Sequence, residues 1–299
     1  MEAEAYLEWL YSTEIVNADL LLFNVLDKGT VKNVTPEKIV LTAGDNYLKL
    51  VFKGDFEGSP WGDPDLSGTV DGLKLKVNGT TVLNGNGFDI DAGELAEFFE
   101  TPGGAKDILG MLQSQIGVFK GSQSPDFFPV EPIPGLVVKG RGGDDTIFGA
   151  ALGQKLKGGK GNDLLIASQG DGPKEEKAVE PIGDKLFGGA GRDIFQFEVG
   201  SVVGEPVCNK IKDFSHKDDG ILLIAIGTDL DTGFLDPDAF VIGEAATTLE
   251  HRIVYDETNG ILSFDEDGID GEDQVKFAEV VPGTKIKADD FAVVAELAF

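Results

Sequence analysis

The chain has 299 residues, of which 41% are hydrophobic, and this predicts a folded protein with one large or two modest domains rather than a disordered acidic tail. Its 53 acidic and 25 basic residues give a net charge of −28, which disfavours nucleic acid and anionic lipid as partners and favours cations. The single cysteine, Cys208, excludes an internal disulfide framework and a cysteine-rich zinc cluster.

The N-terminal stretch MEAEAYLEWLYSTE has neither a basic start nor a cleavable apolar core, so we expect no secretory signal peptide there. We also expect no transmembrane segment, because no apolar run approaches the roughly 18–20 residues that span a bilayer. These two features alone would predict a cytoplasmic address.

In chain order, residues 1–27 are expected to be mainly helical at first and then apolar enough to be buried. From about residue 38 the hydrophobic period becomes two, which is typical of strands. YLKLVFKG places Leu48, Leu50 and Phe52 on one face. The stretch LKLKVNG does the same with Leu73 and its alternate neighbours Leu75 and Val77.

Two short helices are predicted next, in DAGELAEFF and GAKDILGMLQSQI, the first of them beginning after an Asp cap at Asp91. Residues 121–135 contain four prolines and are interpreted as a linker. Glycine-punctuated nonapeptides follow, and beyond about residue 210 ordinary alternating strands return.

The nonapeptides follow the pattern G-G-x-G-x-D-x-U-x, in which U is a large apolar residue. Residues 158–166 and 188–196 match it in full, and 140–148 matches with Asp145 at position six and Ile147 at position eight. Residues 149–157 keep the frame but carry Gln154 at position six. After an interruption the frame resumes at GDKLF, residues 183–187.

Each position has a physical reason. Glycines permit positive φ angles and close backbone approach, so six residues can turn tightly with carbonyls pointing inward. The x-U-x triplet forms a very short strand that cannot bury itself, so successive coils must stack as a parallel solenoid. Turn carbonyls and position-six Asp side chains then line cages of oxygen atoms, which suit calcium better than zinc or magnesium.

These repeats resemble the RTX (repeats-in-toxin) calcium-binding parallel β-roll. The resemblance implies several bound Ca²⁺ ions and one set of candidate ligand positions, in turn carbonyls and Asp side chains. That set comprises Gly140, Gly142, Asp144, Asp145, Gly158, Lys160, Asp163, Asp184, Gly188, Ala190 and Asp193. Gln154 and the interruption after residue 166 suggest that one side of the roll binds fewer ions.

The flanks extend the resemblance to about residues 136–299. CNKIKDFSHKDDGILLI, residues 208–224, looks like the strand pair that closes RTX rolls, with Asp213, Phe214 and Ile221 in the matching places. Residues 252–268 resemble a C-terminal hairpin in which Tyr255 and Phe264 are packed.

The final stretch KIKADDFAVVAELAF resembles the uncleaved C-terminal signal of type I secretion. A signal of this kind implies a secreted, extracellular protein of a Gram-negative bacterium and the type I secretion apparatus as a partner. It thereby replaces the cytoplasmic address.

The predicted fold class is therefore mainly β: an N-terminal β-rich (α+β) domain, a calcium-binding parallel β-roll and a C-terminal β cap. The predicted boundaries are residues 1–120 for the N-terminal domain with its short helices, 121–135 for the linker, 136–210 for the roll, and 211–299 for the cap and secretion signal.

Other ligand sites are weaker. DEDGIDGED, residues 265–273, does not fit an EF-hand, because Gly268 falls at loop position four and no Glu stands at position twelve; a solvated acidic turn is favoured over a lone calcium site. The N-terminal third looks like that of other type I substrates, including haemophores. It contains no His, however, so a haem role lacks its chief ligand, and Tyr47 is expected in a sheet.

We expect no catalytic residues. The sequence contains no H-E-x-x-H and no G-x-S-x-G, and its two histidines, His216 and His251, lie 35 residues apart. We predict a secreted calcium-binding protein that binds a surface or an extracellular polysaccharide. The alternative is a carbohydrate-active enzyme with its site in the N-terminal domain, for which Asp55, Asp63 and Asp65 near Trp61 are candidates.

Overall fold

The structure is a computed structural model and describes residues 6–9, 30–44, 48–57, 67–94, 117–128, 135–149, 153–168, 183–200, 208–269 and 274–295. The chain divides into two compact units, Met1–Ser124 and Pro125–Phe299. The fold is mainly β, as predicted. In these ranges there is no helix with the length and apolar character needed to cross a membrane.

The described residues of the first unit form a sheet of seven strands. Its strands are β1 (Tyr6–Trp9), β2 (Thr30–Thr35), β3 (Lys38–Ala43), β4 (Leu48–Glu57), β5 (Ser67–Val77), β6 (Thr80–Asp91) and β7 (Val118–Lys120). Strands β2 to β6 form an antiparallel meander in chain order. Strand β1 then pairs antiparallel with β6, and β7 pairs parallel with β1.

The predicted alternation in β4 and β5 is confirmed. Leu50 lies opposite Leu75 and Phe52 opposite Leu73, and all four side chains are fully buried. Leu41 pairs with Leu50 from the other side and is buried with them. This period-two pattern produces one apolar face across three strands.

Two predictions for this unit have different outcomes. The helix expected at the start of the chain is wrong where it can be compared, because residues 6–9 are a strand whose backbone groups pair with β6. The Asp91 cap is confirmed: its Oδ1 accepts hydrogen bonds from the N–H groups of Gly93 and Glu94, at 2.8 and 3.1 Å. Tyr47 and the second predicted helix lie outside the described residues.

The second unit contains two sheets of mostly parallel strands. The first has the order β9–β11–β13–β15–β21–β20–β19–β18 and the second β8–β10–β12–β14–β16–β22–β17. The strands are β8 (Phe127–Phe128), β9 (Val137–Lys139), β10 (Thr146–Phe148), β11 (Lys155–Lys160), β12 (Leu164–Ile166), β13 (Lys185–Ala190), β14 (Ile194–Gly200), β15 (Asn209–Ile211), β16 (Gly220–Ile226), β17 (Gly233–Phe234), β18 (Phe240–Ile242), β19 (Ile253–Asp256), β20 (Ile261–Phe264), β21 (Val275–Glu279) and β22 (Phe291–Val294).

The apolar position-eight residues form the core between the two sheets. In the first sheet Leu156 lies beside Leu186, and in the second Ile147, Leu165 and Phe195 lie beside one another in turn. All five are fully buried. Because alternate repeats place this residue in alternate sheets, two nonapeptides make one coil of a parallel roll.

The roll begins earlier than residue 136. Phe128 pairs in parallel with Ile147 and is 3% exposed, so it occupies the next position of the core column. The segment 121–135 therefore includes a strand of the roll, and its description as a linker is wrong at this strand. A buried aromatic residue outweighs the local proline content there.

The C-terminal part adds to both sheets. Ile211 and Ile221 continue the two core columns, as the predicted closing strands require. Strands β19 and β20 form the predicted hairpin, in which Tyr255 is fully buried and Phe264 is 4% exposed. Strand β22 lies beside β16 in the second sheet.

Candidate metal centre

The position-six aspartates of alternate repeats stack in one column. Oδ1 of Asp163 accepts a hydrogen bond from the N–H of Asp145, and Oδ1 of Asp193 accepts one from Asp163, each at 2.9 Å. The column continues to Asp219, whose Oδ1 accepts from the N–H of Asp193 at 3.1 Å. We call Asp145, Asp163, Asp193 and Asp219 the Asp column.

In three of these residues the second carboxylate oxygen accepts no hydrogen bond. Oδ2 of Asp145, Asp163 and Asp193 is buried and has no hydrogen-bond partner. Each of the three residues is only 1% exposed. A buried carboxylate oxygen without a partner is costly, and three in one row fit a site that a bound cation would stabilise.

Glycine at position one makes room for these oxygens. A Cβ atom on Gly140 would collide with Oδ2 of Asp145, and one on Gly158 would collide with Oδ2 of Asp163. Gly161 has a φ of 124° and approaches the carbonyl oxygen of Gly143 in the preceding turn too closely for any side chain. The glycine pattern therefore lets turn carbonyls and carboxylate oxygens approach one another closely.

Burial and mutual repulsion raise the pKa values of the column carboxylates. Burial, with added repulsion from Asp163, Asp126 and Asp144, raises the pKa of Asp145 to about 8. Burial also raises the pKa of Asp163 to about 6, with repulsion from Asp193 as a smaller cause. Carboxylates in this environment resist ionisation, and a cation beside them would favour their charged form.

The opposite side of the roll differs. There Oδ1 of Asp184 accepts from the N–H of Gln154 at 2.9 Å, and Oδ1 of Asn209 accepts from the N–H of Asp184 at 2.8 Å. The second oxygen of Asp184 accepts from the N–H of Ser168 at 3.0 Å. Among the described residues, this column has one carboxylate, which accepts hydrogen bonds from protein donors, beside two neutral amide side chains.

The remaining predicted positions lie in the same glycine turns. Oδ1 of Asp144 accepts from the N–H of Asn162 at 2.7 Å, so position five forms a second, exposed row. The N–H of Lys160 donates to the carbonyl of Arg141, and the carbonyl of Ala190 accepts from the N–H of Gly161. The turns containing Gly142 and Gly188 belong to the same stack.

Sequence reasoning did not list Asp219 or Ser168. Asp219 stands two residues before Ile221, as Asp193 stands two residues before Phe195, and this spacing could have identified it. Ser168 carries no such signal, because its N–H acts through the backbone and the insertion after it hides the repeat frame.

The chemistry of the donor atoms fits calcium. In the described ranges no three His, Cys, Asp or Glu side chains converge on one point. A cage in the Asp column would therefore combine carboxylate oxygens with backbone carbonyls of adjacent turns. Calcium accepts such mixed oxygen ligands with flexible geometry, whereas zinc prefers nitrogen and sulfur.

A family model agrees with this architecture. Residues 140–293 match the model described as Peptidase M10 serralysin C terminal. The chain belongs to this serralysin C-terminal family. The matched region is the RTX-type calcium-binding β-roll. No curated protein matches the chain.

Other candidate sites have ordinary structural roles in the ranges described. Oδ1 of Asp265 accepts from the N–H of Gly268 at 2.7 Å within a turn. His216 is half-buried, and its Nδ1 lies 2.7 Å from Oδ1 of Asp290. Asp55 is exposed on β4, whereas Trp61, Asp63, Asp65 and Asp270 lie outside the described residues.

Proposed function

We propose that this serralysin C-terminal roll binds calcium between successive glycine turns along the Asp column, and that binding drives the roll to fold after export. The observation that carries the proposal is the row of three buried, unpartnered Oδ2 atoms on Asp145, Asp163 and Asp193. Each oxygen lies above a position-one glycine whose missing Cβ leaves it space.

The chain's own residues would hold the ions as follows. Oδ2 of each column aspartate faces its own turn, while Oδ1 accepts a hydrogen bond from a backbone N–H of the preceding turn. Carbonyls of the turns at 140–144, 158–162 and 188–192 would supply the other oxygens. Bound calcium would supply the positive charge that offsets repulsion along the column.

The Gln154 side is proposed to bind fewer ions. Its carboxylate, on Asp184, already accepts hydrogen bonds with both oxygens. Asn209 continues the stack there without adding charge. The roll would therefore be asymmetric, with its calcium concentrated on the Asp column.

The coupling to export follows from the unpaired charge. Where calcium is scarce, the column carboxylates repel and are desolvated, so the unfolded chain is favoured and can pass a narrow type I secretion channel. Outside the cell, ions that bind only the folded roll convert binding free energy into folding free energy. We propose an extracellular protein of a Gram-negative bacterium, exported by its uncleaved C-terminal signal and acting by surface or polysaccharide binding.

The test is a thermal melt of the full chain followed by circular dichroism, in EGTA, in several millimolar calcium, and in magnesium. We expect a calcium-specific gain of β signal and of melting temperature. A ligand present at 100 times its Kd adds about 2.7 kcal/mol of stability. Equal melts in EGTA and calcium would overturn the proposal.

A further inference from the structure

The outward face of the first roll sheet is lined with lysine. Alternate residues of a strand point to opposite faces, so the residues flanking the buried Val138, Leu156, Leu186 and Ile211 point away from the core. Six of the 25 basic residues of the chain occupy these flanking positions, five on four adjacent strands and one directly after the last of them. This lysine face consists of Lys139, Lys155, Lys157, Lys185, Lys210 and Lys212.

The lysines stand directly beside one another. Lys155 pairs with Lys185, and Lys185 with Lys210, on three consecutive parallel strands. Lys139 pairs with Lys157 in the next row. Neighbouring strands are about 4.8 Å apart, and like charges side by side in a sheet are destabilising. The stability of the folded roll therefore does not explain why lysines lie side by side.

Among the described residues, two carboxylates interact with this face: Glu279 contacts Lys210, and Asp213 lies within the electrostatic influence of Lys157. Of the six lysines, Lys210 alone has a carboxylate within ion-pair distance in the part of the chain that the structure describes; its Nζ lies 2.5 Å from Glu279. The ammonium of Lys157 lies 4.7 Å from the ring centroid of Phe187. Lys155, Lys185 and Lys212 are exposed.

We propose that the lysine face binds a linear acidic polysaccharide, one whose sugars carry carboxylates. The row runs from strand to strand along the roll with a constant repeat, which suits an extended polymer better than a compact ligand. Lysine offers single-point ammonium donors for successive carboxylates. The inference rests on the proposed function, because the face forms only when the roll is folded.

Two features favour a polysaccharide over a nucleic acid. Single-stranded nucleic acids stack on exposed aromatic side chains, and the aromatic ring found here, Phe187, lies against Lys157. Duplex DNA carries one charge per roughly 1.7 Å, so a chain with a net charge of −28 repels it more strongly than it repels a polymer with fewer charges per unit length.

Calcium would strengthen this attraction. The strands that carry Lys155 and Lys185 run directly into the turns of Asp163 and Asp193. Ions held in those turns would cancel negative charge next to the lysine face. A polyanion would then meet a locally positive surface on an acidic protein.

The experiment measures binding of the full chain to polygalacturonate by isothermal titration calorimetry in calcium, with dextran as the neutral polymer and duplex DNA as the phosphate polymer. The variant is K155Q/K185Q/K212Q, which removes the three exposed lysines. The matched control is K49Q/K74Q/K76Q in the first unit, because it changes net charge equally. Calcium-dependent melting of each variant, recorded without polymer, reports the fold.

We expect wild type and the control to bind polygalacturonate equally, with affinity falling as salt rises. The face variant should lose about tenfold in affinity, the sum of three screened surface contacts, with unchanged melting. Four results would overturn the inference. They are dextran binding as tight as polygalacturonate binding, DNA binding as tight as polygalacturonate binding, an equal loss of affinity in the control, and no polygalacturonate binding by a wild type that calcium stabilises. Absence of any calcium response in the melts would instead overturn the proposed function.

Discussion

Oδ1 of Asp163 accepts a hydrogen bond from the backbone N–H of Asp145, 18 residues earlier, and Oδ2 of the same carboxylate has no partner. Oδ1 thus binds the preceding turn by a hydrogen bond, while Oδ2 lies buried beside Gly158. A substitution can separate these two roles. Asn keeps the accepting oxygen and removes the charge, whereas Ala removes both.

Asp163→Asn is expected to uncouple folding from calcium. Without calcium its melting temperature should rise above that of wild type, because a buried unpaired charge is lost and the turn-to-turn hydrogen bond stays. The roll already tolerates this side chain, since Asn209 stacks on Asp184 in the opposite column. The calcium-induced shift in melting temperature should fall to about half or less, on the order of several degrees.

The exposed Asp89→Asn in β6 is the matched control and should leave both melts unchanged. Asp163→Ala combined with Asp193→Ala should abolish most of the calcium-dependent gain in β signal and lower the metal-free stability. If the double variant folds and responds to calcium as wild type does, the Asp column is not the binding site.

Gly158→Ala tests the space above the carboxylate. The new Cβ would collide with Oδ2 of Asp163, so the turn must shift or the carboxylate must turn away. We expect a loss of about 1–3 kcal/mol in the free energy of unfolding measured by urea titration in calcium. Gly220→Ala is the control, since the nearest atom to its Cβ is 3.6 Å away and its φ is not positive. Equal losses in the two variants would contradict the proposed packing.

The repeats made most of the roll predictable. Their frame fixes which residues are buried, and Ile147, Leu156 and Phe195 all occupy the core as the pattern requires. The same frame puts Asp145, Asp163 and Asp193 in one column. Local signals suffice here because each coil repeats the same turn chemistry.

Features that depend on pairing with a distant strand were less predictable. The strand Phe127–Phe128 has no glycine turn before it and joins the roll because Phe128 completes a core column. Tyr6–Trp9 becomes a strand because it pairs with residues 83–86. No local pattern near residue 6 indicates this pairing. The lysine face likewise emerges only from the register between strands, since its members are 30 and 25 residues apart in the chain.

The pH dependence of the calcium-free protein follows from the raised pKa values. Burial raises the pKa of Asp145 to about 8, and of Asp163 and Asp219 to about 6. The folded state therefore binds more protons than the unfolded state above pH 3.8, so stability is lost as pH rises through about 6 to 8. Melting temperature in EGTA should fall between pH 5.5 and pH 8.5.

Stabilisation by calcium should have the opposite pH dependence, because calcium ions and protons compete for the same carboxylate oxygens. The calcium-induced shift should grow as pH rises over the same range. Asp145→Asn should flatten the decline in EGTA, since it removes the carboxylate with the highest pKa in the column. A decline in EGTA that is unchanged in this variant would assign the pH dependence to other carboxylates.

The contact between His216 and Asp290 is expected to stabilise the end of the roll. Nδ1 of His216 lies 2.7 Å from Oδ1 of Asp290, and Oδ2 of Asp290 accepts from the N–H of Lys287 at 2.7 Å. The imidazole of His216 and the N–H of Lys287 both lose their acceptor in Asp290→Ala. This substitution should cost about 1–3 kcal/mol in the free energy of unfolding in calcium. The exposed neighbour in Asp289→Ala should cost less than about 0.5 kcal/mol.

The location of the loss can also be tested. Asp290 directly precedes β22, so its loss should free that strand from β16, where Phe291 pairs with Ile221. Amide hydrogen exchange should therefore accelerate first at residues 291–294, while protection in the glycine turns stays. Because these residues lie in the predicted export signal, the same variant should leave secretion unchanged if the signal is read before folding. Uniform loss of protection across the roll would show that the pair stabilises the whole unit and not its last strand.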